Sequence, residues 1–183
     1  MKKIRSVLQK LRLIPVLPWV DWADDKFIKD LDRWKAIGHL EGSRQGVLAQ
    51  LLWDKKEFRN LFIYRNSHRR LFRYWIAFWY RPVDTLFIET PQIGGGLYIQ
   101  HGFATMIAAK SIGENCWINQ QVTVGYTAKG CPVIGNDVMI TCGAKVLGDI
   151  TVGDGAIIGA NAVVVKNVEA GAVMGGVPAV RLK

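Results

Sequence analysis

Branched apolar residues recur at every sixth position through the second half of this 183-residue chain. Ile112, Ile118 and Val124 form one series. Ile134, Ile140, Val146, Val152, Ile158 and Val164 form a longer one, which Ala170 extends, and Ile93 and Ile99 begin an earlier one. Several are followed by glycine, as in Ile93-Gly94, Ile112-Gly113, Ile134-Gly135 and Ile158-Gly159. A helix repeats its core positions at a period of 3.6 and a half-buried strand at a period of 2. Neither yields one branched residue and one glycine in six. A triangular coil does: each side is a short strand with one side chain turned inward, and each corner takes small or turn-tolerant residues. Three sides complete a turn, so residues 134–151 and 152–169 read as successive coils stacked on a continuous Ile/Val column.

The register breaks twice. One extra residue falls between Ile99 and Ile112, expected near Phe103–Ala109. Four more fall between Val124 and Ile134, within GYTAKGCP. Insertions in repeat architectures become loops on one face, often the face that binds.

Before Pro82 the composition is different. Six of the seven tryptophans lie there, and residues 1–81 hold 18 Lys and Arg against 8 Asp and Glu, a net of +10. Residues 82–183 hold 6 against 7. The chain therefore divides into a basic, aromatic-rich helical region, residues 1–87, and a repeat domain with a C-terminal tail, residues 88–183. Phe27, Ile28, Leu31, Trp34 and Ile37 have helical spacing from Asp24 onward, with Gly38 and Gly42 as stops. Val47 to Trp53 is a further apolar run. RRLFRYWIAFWYRP, residues 69–82, carries arginine flanks with Trp and Tyr between them, which suits a membrane interface or a partner subunit. Its short apolar block without a clean polar face favours packing. The excess of cations suits an acidic surface, a polyanionic glycan or peripheral membrane contact, or simply a solvated face. No recognised nucleic-acid motif accompanies it.

Cys116, Cys131 and Cys142 are odd in number and lack CxxC spacing, so they define neither a disulfide framework nor a metal knuckle. Reduced thiols in a cytoplasmic protein are the expectation. The basic start is interrupted by Lys10 and Arg12 and lacks a cleavage site, unlike a signal peptide. No apolar run is long enough for a membrane span.

The blocks IGGGLYIQHG, IGENCWINQQVTVG, CPVIGNDVMITCGAKVLGDITVGDGAIIGANAVVVKNV and GGVPAVRL, across residues 88–181, resemble the hexapeptide acyltransferases. More narrowly they resemble the serine acetyltransferase group, including its exopolysaccharide and colanic-acid branch. The resemblance implies a left-handed parallel β-helix and a homotrimer with active sites in the clefts between neighbouring β-helices. Pairing of trimers through the N-terminal helices is left open. It also implies acetyl-CoA as donor, no metal, and a catalytic histidine in the coil that GLYIQHG matches, which is His101.

Acetyl transfer to a hydroxyl needs a base for the attacking proton, and an imidazole near neutral pKa suits that task. A carboxylate on the other ring nitrogen would fix its tautomer. Glu89, in FIETPQIG just before the coil, is the candidate. For CoA the resemblance points to Gly125, Tyr126, Cys142, Gly143, Ala144 and Ala160, with Lys145 and Lys166 available to phosphates. Serine acetyltransferases carry an Asp before the catalytic histidine, where this chain has Gln100. They carry an Arg-His pair where this chain has Gly130 and Cys131. Those changes remove partners for a zwitterionic amino acid, whose unpaired charges are costly to bury. Gln100 and Cys131 thus suggest an acceptor rich in neutral hydroxyls. The expectation is an O-acetyltransferase acting on a saccharide, an exopolysaccharide or capsule precursor, with L-serine O-acetylation as the alternative. A γ-type carbonic anhydrase needs three zinc-binding histidines, and the repeat domain contains only His101. A scaffold module would be indifferent to loss of His101. N-acylation of a nucleotide sugar fits the GGVPA tail and the GLYIQHG block less well.

Overall fold

The computed structural model describes residues 2–183. The chain forms two compact units, one ending at Val83 and the other spanning Asp84–Lys183.

The first unit contains five helices: α1 (Lys2–Leu13), α2 (Asp25–Ile37), α3 (Arg44–Asp54), α4 (Lys56–Arg65) and α5 (Arg70–Trp79). A 3-10 turn, Leu17–Trp19, follows α1. Asp24 caps α2 by accepting from the Lys26 and Phe27 amides, and Ser43 caps α3 by accepting from Gly46. Such caps satisfy amides that a helix leaves without partners. Gly38 ends α2. Phe27, Leu31 and Trp34 of α2 are buried with Leu48 and Leu52 of α3 and with Phe58 and Phe62 of α4. Phe27 meets Phe62 at 5.4 Å between ring centres, and Trp34 meets Phe58 edge-on at 5.2 Å. Inside this core Arg65 holds Asp30 in a two-pronged ion pair, at 2.7 and 3.1 Å. The two side chains are 5% and 1% exposed.

Helix α5 is apolar on two sides. Phe72 and Ile76 are buried, while Leu71, Tyr74, Trp75 and Phe78 face outward. The lack of a clean polar face in the sequence therefore reflects one packed stripe and one exposed stripe. Tyr80, just beyond α5, is fully buried with no hydrogen-bond partner for its hydroxyl among the described residues, and the Arg12 guanidinium lies over its ring at 5.0 Å.

The second unit is a left-handed parallel β-helix of triangular section. One face is a five-stranded sheet of Leu86–Ile88, Thr105–Ile107, Thr123–Gly125, Lys145–Leu147 and Val163–Val164. The next contains Ser111–Ile112, Val133–Ile134 and Thr151–Val152. The third contains Tyr98–Ile99, Trp117–Ile118, Met139–Ile140, Ile157–Ile158 and Val173–Gly175, closed by an antiparallel strand, Val180–Arg181. The six-residue column points inward as the sequence predicts: Ile93, Ile99, Ile112, Ile118, Val124, Ile134, Ile140, Val146, Val152, Ile158 and Val164 are all buried. Ala170 does not continue it. Val168 is the buried residue there, bridging to Val152, and Ala170 is exposed because the chain leaves the repeat for its tail. The glycines after inward residues have a steric cause. A Cβ on Gly94 would come within 2.7 Å of the Gly113 backbone in the coil above, and one on Gly113 within 2.6 Å of Gly135.

Two experiments test the helical unit. Asp30→Ala leaves Arg65 buried and uncompensated, so urea unfolding should show a loss of about 3–5 kcal/mol. Burial raises the Tyr80 phenol to about 12 from the ordinary 10, against the opposing pull of Arg12 and Arg59. The fold disfavours the phenolate, so this residue's stabilisation is intact below pH 10 and is lost as pH rises through about 12. Tyr80→Phe should flatten the fall in melting temperature over that window, measured against the unmutated protein.

Candidate active site

His101 is exposed, which removes the reading of a packed core histidine. It stands at the corner between Tyr98–Ile99 and Thr105–Ile107. A regular corner on this edge has one residue in the left-handed region, three places before the next inward residue. Gln121 before Val124 (φ 59°), Gly143 before Val146 (φ 73°) and Asn161 before Val164 (φ 57°) follow that rule. Ala104 (φ 50°) fills the role before Ile107. His101 (φ 61°) is a second left-handed residue at the same corner. The inward residues Ile99 and Ile107 lie eight apart, and Ile107 and Ile112 five apart. The single extra residue expected within 103–109 is thus two extra at the His101 corner and one fewer on the following side. Left-handed backbone is unfavourable for residues with a Cβ. The corner is held by Thr85, whose hydroxyl accepts from the Ala104 amide at 3.1 Å and whose carbonyl accepts from Thr105 at 3.0 Å. Above it the Phe103 carbonyl accepts from the Gln121 amide at 3.0 Å.

Several of the predicted site residues stack along this edge. Gln100 precedes His101, and its side-chain oxygen accepts from the Asn119 amide at 3.5 Å. Cys142 and Gly143 occupy a higher corner of the same edge, linked downward by Gly143 N–H to the Gln120 carbonyl. Ala160, exposed, lies one corner further, where Asn161 N–H donates to the Cys142 carbonyl. These small residues leave the edge open for an extended ligand. Ala144 does not contribute a side chain to it: its methyl is fully buried in the solenoid. Lys145 donates to the Gln121 carbonyl at 2.6 Å, so its ammonium is already engaged.

The remaining candidates gather on a different edge. Glu89, Tyr126 and Cys131 line an open cleft of about 540 Å³, together with Pro91, Lys129 and Asp149. The four extra residues form its wall as a tight turn in which Thr127 and Gly130 exchange backbone hydrogen bonds at 3.0 and 3.1 Å. Gly125, next to Tyr126, is buried, and Lys166 is exposed. Glu89 donates its amide to the Ile107 carbonyl, at the far end of the strand whose near end carries the His101 corner. The width of a face, about 13 Å of extended chain between Ala104 and Ala108, separates the two edges. Within one chain, therefore, Glu89 is not brought to His101. The carboxylate whose register does fall at that corner is Asp84, next to Thr85. Sequence reasoning missed it, although a spacing close to one coil was the available signal: Asp84 lies one coil before His101, whereas Glu89 lies about two sides before it.

An exposed histidine on a hexapeptide β-helix, beside a column of small residues, places the chain among proteins built on this repeat. Residues 131–166 match the family described as bacterial transferase hexapeptide (six repeats). The chain is 38% identical over 92 residues to the serine acetyltransferase of Synechococcus elongatus, covering 48% of this chain and 38% of that one. It is 43% identical over 93 residues to the serine acetyltransferase of Helicobacter pylori strain J99, covering 48% and 54%. Among solved structures, Neisseria gonorrhoeae serine acetyltransferase in complex with serine superposes with a TM-score of 0.64 at 26% identity, over 85% of this chain and 66% of that one. Residues 131–166 thus carry the hexapeptide repeat of bacterial transferases, and the chain has serine acetyltransferases among its homologues. The chain spans about half the length, or less, of these curated relatives.

Proposed function

We propose that this chain is an acetyl-CoA-dependent O-acetyltransferase with His101 as general base and the hydroxyl of L-serine as acceptor. The observation that carries the reading is the doubly left-handed corner that puts the His101 imidazole in solvent, on the same edge as Cys142, Gly143 and Ala160. His101 takes the proton of the acceptor hydroxyl as its oxygen attacks the thioester carbonyl. The oxygen–acyl bond forms, the carbon–sulfur bond breaks, and the proton passes from the imidazolium to the departing thiolate. Asp84, whose register falls at the same corner, would be the residue of the same chain that orients the imidazole.

The relatives named above are serine acetyltransferases, which supports serine as acceptor and reverses the order in which the sequence alone ranked the two acceptors. The saccharide reading keeps one specific observation in its favour. Gln100 and Asn119 form a neutral amide pair beside His101, and Gly130 and Cys131 add no charge to the cleft.

A homotrimer gives the second edge a role. Three-fold packing would set the His101 edge of one β-helix against the cleft edge of its neighbour, so Glu89, Tyr126 and Cys131 would serve the neighbour's histidine.

CoA release from acetyl-CoA, measured with L-serine and with a panel of oligosaccharides, tests the reading. Turnover should appear with serine, and His101→Ala should lower it about 10²–10⁴-fold. Rapid turnover with a saccharide and none with serine would establish the second reading instead. Subunit mixing tests the shared site. Co-expressed His101→Ala and Glu89→Gln chains should recover activity above that of either alone, whereas His101→Ala with Asp84→Asn should not recover a working Asp84–His101 pair in trans, because both defects lie on one edge.

A further inference from the structure

The helical unit leaves two apolar stripes in solvent. On α1 and just beyond its end, Ile4, Val7, Leu8, Leu11 and Ile14 are each 47–68% exposed. Their spacing puts them on one side of the helix, opposite the buried Gln9 and Leu13. On α5, Leu71, Tyr74, Trp75 and Phe78 repeat at i, i+3, i+4 and i+7, with Leu71 86% and Phe78 77% exposed. The stripes belong to one connected surface. The Trp75 indole donates to the Pro15 carbonyl at 2.9 Å, Arg69 donates to the Trp19 carbonyl at 2.7 Å, and Trp19 lies 5.8 Å from Phe72. A cleft of about 400 Å³ between Trp19, Leu71, Phe72 and Trp75 is almost wholly apolar. Exposed apolar area on this scale marks a contact site.

Charge identifies the occupant. Residues 1–20 carry five Lys and Arg and no acid, and residues 69–81 carry four and no acid. Residues 21–68, the rest of the unit, carry nine cations and eight acids. The exposed apolar side chains therefore lie in the same two segments that carry the excess of cations over acids. A second copy of this surface would bring like charges together. A surface that is anionic outside and apolar beneath is complementary to both features, and Trp, Tyr and Arg are the side chains suited to its boundary. Among the described residues no helix is long and apolar enough to cross a membrane, so the contact is one of lying on the surface.

We infer that α1 and α5 form a docking surface for an anionic lipid bilayer. The helices lie in the headgroup region, with Ile4, Val7, Leu8, Leu11, Leu71 and Phe78 entering the acyl boundary. Arg5 is paired with Asp54, and Arg12 donates to the Trp79 carbonyl, which anchors α1 to the unit so that its apolar stripe stays outward.

Flotation of the full chain with phosphatidylcholine vesicles, with and without phosphatidylglycerol, tests this surface. Binding should require phosphatidylglycerol and weaken with salt. Val7→Ser/Leu11→Ser and Leu71→Ser/Phe78→Ser should each weaken it about tenfold or more while leaving the melting temperature unchanged, since these side chains are exposed. Bromine-labelled phosphatidylglycerol should quench tryptophan emission in the unmutated protein, a readout independent of the variants. Absence of binding, equal binding to neutral vesicles, or unweakened binding by folded variants overturns the inference. So does a loss of self-association, measured by sedimentation, in place of a loss of vesicle binding.

Discussion

The vertical stacking of one coil on the next governs the β-helix and the site upon it. Each inward Ile or Val rests on its counterpart a turn away, and the backbone amides between coils are spent on that register. Val124 pairs with Ile107 below and with Val146 above, and Ile118 with Ile99 and Ile140. A residue gained or lost within a coil must then be absorbed before the next inward position. Gained residues are absorbed at corners, where the chain is not committed to a ladder. That is why irregularity and candidate chemistry coincide at His101–Ala104 and at Gly125–Pro132.

The two irregular corners lie on different edges of the prism. A single β-helix is convex at its edges, so neither can surround a substrate by itself. The His101 edge offers an imidazole, a neutral amide pair and a column of small side chains. The cleft edge offers a carboxylate, a tyrosine and a thiol. Their separation by one face motivates the proposed trimeric site, in which Glu89 would be supplied by a neighbour rather than by the same chain.

The helical unit is built on different physics. Its core is aromatic, centred on Trp34, Phe58 and Phe62 and pinned by the Arg65–Asp30 pair, and it spends its remaining apolar residues on the outside of α1 and α5. The helix from Asp24 was legible in the sequence because capping and periodicity agree there. The orientation of α5 was not, because a helix with apolar residues on two opposite sides has no unique inward face until its neighbours are placed.

Spacing alone determined the solenoid, its inward column and the presence of two insertions, since a six-residue period admits one architecture; the proposal of His101 as the base came from the resemblance of GLYIQHG to the acyltransferases, in a repeat that contains one histidine. Tertiary structure decided what spacing cannot carry. It put two extra residues at the His101 corner rather than one further on, turned the Ala144 methyl inward, ended the column at Val168 rather than Ala170, and set Glu89 a face away from His101 while bringing Asp84 into register. The physical reason is that a period gives the order of residues around the coil. The corner at which an insertion is absorbed depends on which backbone hydrogen bonds survive between one turn and the next.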